Sequence, residues 1–462
     1  MKTFSLLCTG LLLATPVRAQ SPETAKIDSV VHAEMASQKI PGTAVAVIRG
    51  NQTILAKGYG LANVEHRVPV TTQTIFQSGS VGKQFTSTAV MQLVEAGKIQ
   101  LDDPISKYLT DAPAAWRDIT IRHLLTHTSG IPDYTTDAFD YRRDYTEDEL
   151  VKLAYAVTLE FPAGSRWNYS NTGYVLLGAI IRKAGGRFYG DHLAEHVFKP
   201  AGMTTARVIT EADIVPNRAA GYQLVKGELK NHDWVSPVLN TTADGSLYLS
   251  LDDMIAWDRA LRAGKLLKAE SWKLVNDPVR LRSGNRYPYG FAWAVDSVAG
   301  QQRIGHGGSW QGFRAHIDRY QSDDVTIIVL ANLAQGDATG IARRIAAALN
   351  PALKPPELKP IADTEPAQTA KLREVIELLG SGSLKPSDFA YVRAGFFPGA
   401  AKHYADMVKE AGKLQRIVVM KRATLGDDRI SDYELHFEKS VYTARIGVAG
   451  DGRISTFGMR RK

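Results

Sequence analysis

Ser80-Val81-Gly82-Lys83 places a nucleophile and a proton acceptor three positions apart. On a helix, positions i and i+3 share a face, so the Lys83 amine lies one turn from the Ser80 hydroxyl. A serine hydroxyl is a weak nucleophile until a neighbour takes its proton, and a lysine in a dry, cationic setting can take it. Phe76-Gln77-Ser78-Gly79 reads as a turn. Gln84 to Leu93 then reads as an apolar helix through Phe85, Ala89, Val90 and Leu93. This puts Ser80 at a helix N-terminus, where free N–H groups favour developing negative charge. Alone the pattern says little: about one Ser-x-x-Lys is expected by chance in a chain of this length, and it equally describes a surface helix start.

Two further groups change the weighting. Tyr169-Ser170-Asn171 is the only Tyr-x-Asn in the sequence, and it follows the loop-like Gly164-Ser165-Arg166-Trp167-Asn168. His306-Gly307-Gly308 falls between two strand-like stretches, Gln302 to Ile304 and Phe313 to Tyr320, and its glycines permit close backbone approach to a ligand. Trp310 and Phe313 beside it fit either an acyl pocket or the core.

With these three groups in this order, the chain resembles the serine hydrolase family of class C β-lactamases, D-Ala-D-Ala carboxypeptidases, D-aminopeptidases and β-lactamase-like esterases. The family's elements are Ser-x-x-Lys, Tyr-x-Asn and a Lys/His-x-Gly strand. The likeness covers roughly residues 24 to 350. It includes Leu101-Asp102-Asp103-Pro104-Ile105, the run Ile121 to Pro132 with His123, His127 and Gly130, and Ala243-Asp244-Gly245-Ser246-Leu247-Tyr248. It implies acyl transfer through a covalent ester on Ser80, with Lys83 and Tyr169 sharing the proton traffic. A free tyrosine titrates near pH ~10, so a phenoxide base requires neighbouring cations to lower it by several units. Which of the two is the base stays open at this level. The resemblance further implies that Asn171 steadies Lys83 and binds the acyl side chain, and that the N–H groups of Ser80 and Ser309 form the oxyanion hole. His306, Gly307, Gly308 and Trp310 would complete the substrate-binding wall. Class C β-lactamases carry lysine where this chain has His306. A histidine with pKa near ~6.5 is mostly neutral at pH 7, which disfavours a β-lactam carboxylate and favours D-amino-acid peptides or carboxylic esters. The alternatives are β-lactam turnover and a penicillin-recognising protein without turnover.

Other patterns carry less. An α/β-hydrolase needs Gly-x-Ser-x-Gly, and Ser78-Gly79-Ser80-Val81-Gly82 fails at its first position. His123 and His127 have the spacing of two metal ligands but lack the Glu after the first histidine and a third ligand, so no metal and no cofactor is expected. Asp102 and Asp103 before Pro104 read as a turn and cap. Tyr134 is placed beside the cleft on the helical side. The partner is a small-molecule or peptide substrate with a carbonyl electrophile.

Residues 1–19 read as a secretory signal: Lys2, an apolar core from Phe4 to Leu13, and cleavage after Ala19. The expected location is periplasmic or secreted. Cys8, the sole cysteine, goes with the leader, so the mature chain must be held by burial and not by disulfides. The formal charge of +8 is spread without a basic block, and neither a nucleic-acid motif nor a membrane-length apolar run follows.

Glu23 to Gln38 has helical spacing, and Thr43 to Ile48 with Thr53 to Gly60 reads as a hairpin. Helical patterns dominate from about 80 to 270. Strands return at Tyr289 to Val295, Gln302 to His306, Phe313 to Arg319 and Val325 to Asn332, before a helix at Thr339 to Leu349. Strands at both ends with helices between them predict an α/β (α+β) fold: an antiparallel sheet closed by terminal helices, beside a mostly helical lobe. The resemblance implies the β-lactamase/transpeptidase-like form of it, with the site between the lobes. Residues 20–350 would form this hydrolase unit. Prolines from Pro351 to Pro366 mark a linker over 351–367, and 368–462 reads as a small accessory α+β unit, helices first and four strands after.

Overall fold

The computed structural model describes residues 21–136, 139–209, 212–245 and 247–462. The leader read at residues 1–19 lies outside the described residues. Ser21 opens the first helix, α1 (Pro22–Gln38), by accepting a hydrogen bond from the Thr24 N–H, and Lys39 closes it in the left-handed region. Strands β1 (Gly42–Arg49) and β2 (Gln52–Asn63) form the expected hairpin, with the two-residue strand β3 (Val68–Pro69) on its outer edge. After the helical region come β4 (Ala294–Val298), β5 (Gln301–Trp310), β6 (Phe313–Tyr320) and β7 (Val325–Ala331). They join the first hairpin in one antiparallel sheet of order β3-β2-β1-β7-β6-β5-β4. The β1–β7 pairing joins the strands before the helical region to those after it.

Both faces of β1 are buried, which explains its unbroken apolar run. Val45 and Val47 face a cluster with Ile27 and Val31 of the first helix and Ile341 and Ile345 of the helix Ala338–Leu349. Ala44, Ala46 and Ile48 face the helical lobe, whose core includes Phe85, Trp257 and Tyr174. Within that lobe, α2 (Lys83–Glu95) and α3 (Asn171–Gly185) are buried along most of their length and bring two of the three motif groups together.

One expected strand is displaced. The apolar stretch from Tyr289 to Trp293 is a buried turn, and strand geometry begins only at Ala294. Gly290 N–H donates to Trp293 O, Phe291 N–H donates to Val275 O, and Ala292 takes a positive φ. Burial explains the apolar composition without a strand.

Residues 366–461 build the second unit. α4 (Pro366–Ser381) and α5 (Ala401–Ala411) pack on the antiparallel meander β8 (Leu414–Leu425), β9 (Asp428–Phe437), β10 (Val441–Val448) and β11 (Ile454–Arg461). Its core, with Leu372, Val375, Leu435 and Ile446, is separate from the two cores of the first unit. Among the described residues, no helix is long and apolar enough to cross a membrane.

Candidate active site

Ser80 sits in a 3-10 turn, Gly79–Gly82, that runs straight into α2, so Lys83 begins the helix one turn after Ser80. The Lys83 side chain is fully buried. Its Nζ lies 3.1 Å from Ser80 Oγ and 2.6 Å from Asn171 Oδ1, and it also donates to the Asp244 carbonyl. A neutral amine has two N–H bonds and one lone pair. The two obligate acceptors, Asn171 Oδ1 and Asp244 O, take the N–H bonds and leave the lone pair facing the Ser80 hydroxyl. Burial brings Lys83 down to about 8, although the carboxylates of Asp244 and Asp133 pull the other way. About a tenth of the amine is therefore neutral at pH 7, and half near pH 8.

Tyr169 comes from the loop before α3, and its ring lies 5.0 Å from Lys83 Nζ. The cation-assisted lowering of its phenol does not occur. Burial pushes the phenol well above its ordinary value, and the neighbouring Ser80 offsets only part of that rise; among the described residues the buried Tyr169 Oη has no hydrogen-bond partner. The neutral phenol is the resting form. Behind it stands His127, 4.1 Å away ring to ring, whose Nδ1 accepts from the Ser170 N–H. Burial and then Lys83 hold His127 well below its usual value, so it is an uncharged wall. His123 is likewise occupied, with Nδ1 accepting from the Thr120 N–H at the start of a short helix. The two histidines therefore serve two separate structural tasks.

His306 lies on β5, buried, with Nδ1 2.6 Å from the Gly307 carbonyl and Nε2 2.9 Å from Tyr289 Oη. A carbonyl only accepts, so Nδ1 carries the proton and Nε2 accepts from the phenol. Burial, aided by Lys83, brings His306 down to about 3. It is neutral throughout the physiological range, more firmly than its composition alone predicts.

β5 runs directly against the turn that carries Ser80. A Cβ on Gly308 would lie 2.0 Å from Ser78 O and 3.0 Å from Ser80 N, and one on Gly79 would lie 2.3 Å from Ser309 N. The two glycines thus let the N–H groups of Ser80 and Ser309 approach a common space. That space opens into a cleft of about 470 Å³ lined by Ser80, Tyr169, His306, Gly307, Gly308 and Ser309, with Arg314, Asp337 and Thr339 on its far side. Asn171 stands behind Lys83, its Nδ2 donating to Asp133 Oδ2 at 3.0 Å. Trp310 packs toward the cluster around Tyr145 and Leu239, 6.3 Å from Tyr141, while Phe313 is buried edge-on to Phe76. Tyr134 donates to Asp244 Oδ2 at 2.9 Å. Asp102 chelates Arg122, and Asp103 accepts from the Gln100 N–H and from Tyr108, roles of a turn.

Several site groups escaped the motif reading. Asp244 lies inside a stretch that carried the likeness and Asp133 directly after one, so position was their only signal. Tyr289, Arg314 and Thr339 had none, because pairing across strands or packing of a helix brings them in.

A family described as Beta-lactamase matches residues 27–350. The chain is 31% identical over 308 residues to "Penicillin-binding protein 4*" of Bacillus subtilis, covering 63% of this chain and 68% of the relative. It is 29% identical over 350 residues to a D-aminopeptidase of Gluconobacter oxydans, covering 72% of this chain and 63% of that protein's length. In fold it is similar to the D-amino acid amidase of Ochrobactrum anthropi SV3, at TM-score 0.63 and 22% identity over 71% of this chain and 99% of the other. The octameric penicillin-binding protein homologue from Pyrococcus abyssi matches at TM-score 0.64 and 23% identity, over 95% of this chain and 96% of the other.

Proposed function

The chain belongs to the beta-lactamase family, and from that premise we propose that it is an exported serine hydrolase that cleaves D-amino-acid amides or peptides through an acyl-enzyme on Ser80. The observation that carries this reading is the arrangement around Lys83: Nζ lies against three oxygens, of which Asn171 Oδ1 and Asp244 O can only accept, so the neutral amine keeps its lone pair for the Ser80 proton.

Lys83 takes that proton as Ser80 Oγ attacks the carbonyl carbon, and the oxyanion settles between the N–H groups of Ser80 and Ser309. The protonated Tyr169 then hands its proton to the leaving nitrogen and recovers one from the Lys83 ammonium. The C–N bond breaks and the acyl group stays on Ser80. Water, deprotonated by the same pair, releases the acid and restores the serine. A neutral His306 offers a substrate carboxylate no charge. The cleft's fixed cation is Arg314, facing Asp337 across the same wall, so the two can take the charged ends of a peptide. Relatives named as D-aminopeptidases support an amide or peptide over an ester or a β-lactam. The hydrolase unit would be residues 20–350, joined through 351–367 to an accessory unit at 368–462.

Purified protein assayed on D-amino-acid amides, D-Ala-D-Ala peptides, short p-nitrophenyl esters and nitrocefin tests this reading. D-amide or D-peptide turnover should lead, and Ser80→Ala should abolish both turnover and fluorophosphonate labelling. Nitrocefin as the best substrate, or labelling that survives Ser80→Ala, would overturn it.

A further inference from the structure

Between the two units lies a second cavity of about 480 Å³, larger than needed for a bound water and within the range of ligand pockets. Trp167 and Tyr287 supply one wall, stacked at 4.3 Å and 11°. Phe389, Tyr404 and Phe457 of the second unit face them. The junction is held by defined contacts. Arg166 pairs with Asp428 at 2.7 Å, both side chains mostly buried, and the Ala394 N–H donates to Glu160 Oε1 at 2.7 Å. Asp427 accepts from Ser283 and Asn285.

Three wall residues of the first unit are each one step from the catalytic groups. Trp167 precedes Tyr169 by two positions, and Tyr287 precedes Tyr289, the hydrogen-bond partner of His306, by two. Thr135 Oγ1 lies 3.3 Å from Asn171 Nδ2. The segments that hold the site thus turn their other side to this cavity. Its charge is unbalanced. Asp428 is spent on Arg166 and Arg445 on Asp432, whereas Arg393, exposed at the cavity's rim, feels the Glu160 carboxylate but has no carboxylate within ion-pair distance among the described residues. Aromatic walls with one unspent guanidinium suit an apolar or aromatic group that carries a carboxylate.

We propose that this cavity is a second subsite that binds the part of a substrate remote from the scissile bond, an aromatic or apolar group bearing a carboxylate. The assignment rests on the hydrolase reading for its substrate but not for its binding. Two measurements separate the two. In the first, 3-phenylpropanoate is titrated into the full chain and followed by tryptophan fluorescence and by calorimetry. Saturable binding should weaken tenfold or more in Arg393→Gln and in Thr136→Trp, whose larger side chain would occupy the mouth. In the second, kcat/KM is compared for a D-amino-acid amide carrying a 3-phenylpropanoate-like anionic extension and for the unextended amide. The ratio of the two should fall tenfold or more in both variants, through KM. Binding that is absent in the parent chain, or undiminished in both variants, overturns the subsite. Absence of any turnover with intact, variant-sensitive binding overturns the hydrolase reading alone.

Discussion

At the scale of single residues, Lys83 decides the chemistry. Because the base must be unprotonated, log kcat/KM should climb with pH at unit slope and level off near about 8. The raised Tyr169 phenol and the neutral His306 should add no limb between about pH 5 and 9. A midpoint near ~6.5, the ordinary histidine value, would move the base role to an imidazole. The same group leaves a mark on stability. Its folded value is depressed below the unfolded one, so between about 8 and 10.5 the unfolded chain holds a proton that the folded chain has shed. Stability relative to Lys83→Met should therefore rise with pH across that window, by about 3 kcal/mol in all. Urea unfolding at pH 7.5 and pH 10.5 checks the sign. A parent chain that loses stability relative to Lys83→Met as pH rises would contradict the depressed value.

At the scale of elements, the contact between β5 and the Ser80 turn shapes the space proposed for the oxyanion, and the two glycines of β5 there are not equivalent. A Cβ at Gly308 would strike Ser78 O at 2.0 Å, whereas one at Gly307 would meet nothing nearer than His316 Nδ1 at 3.4 Å, Thr339 Oγ1 at 3.5 Å and Ala315 O at 3.9 Å. Gly308→Ala should cost at least the value of one oxyanion donor, about 10²-fold or more in kcat. Gly307→Ala should stay within about tenfold, since ordinary van der Waals contact asks for little movement. Circular dichroism shows whether either variant is folded, and comparable losses in both would mean that β5 acts as a whole. His316 of β6 and Thr339 meet beneath Gly307 at 3.0 Å, which fixes the helix Ala338–Leu349 against β6, the strand paired with β5.

At the scale of the whole molecule, the two units have separate cores yet share the loop that carries Tyr169. Truncation near Pro356 removes none of the first unit's core residues, so residues 21–356 should fold and label at Ser80 with a fluorophosphonate probe. The truncation also removes Asp428 and the Ala394 N–H, which hold Arg166 and Glu160 at either end of the stretch leading to Tyr169. Short-ester turnover should therefore fall by several-fold while labelling persists. A truncated chain that fails to fold would show that the second unit belongs to the hydrolase core.

The sequence by itself determined the nucleophile's surroundings at short range: Ser80 one turn from Lys83, a loop leading to Tyr169 and Asn171, and glycines in a strand after His306. It also determined the order of the main elements, because hydrophobic period and Pro/Gly punctuation are local properties, but not the short strand Phe76–Gln77, read as a turn, nor the hairpin of Tyr222–Val225 with Glu228–Asn231. The apolar turn at Tyr289–Trp293 escaped it, since burial makes a turn as apolar as a strand. Only the tertiary structure decided which groups surround the lysine. Asn171 and Asp244 reach Lys83 across 88 and 161 positions of chain, and His306 meets Tyr289 through packing of β5 against that turn. Desolvation lowers the amine, raises the phenol and neutralises the imidazole at once, and it is a property of the closed cleft and not of any motif. Hence the residues proposed to react were legible in the sequence, whereas their protonation states and the cavity beside Trp167 were not.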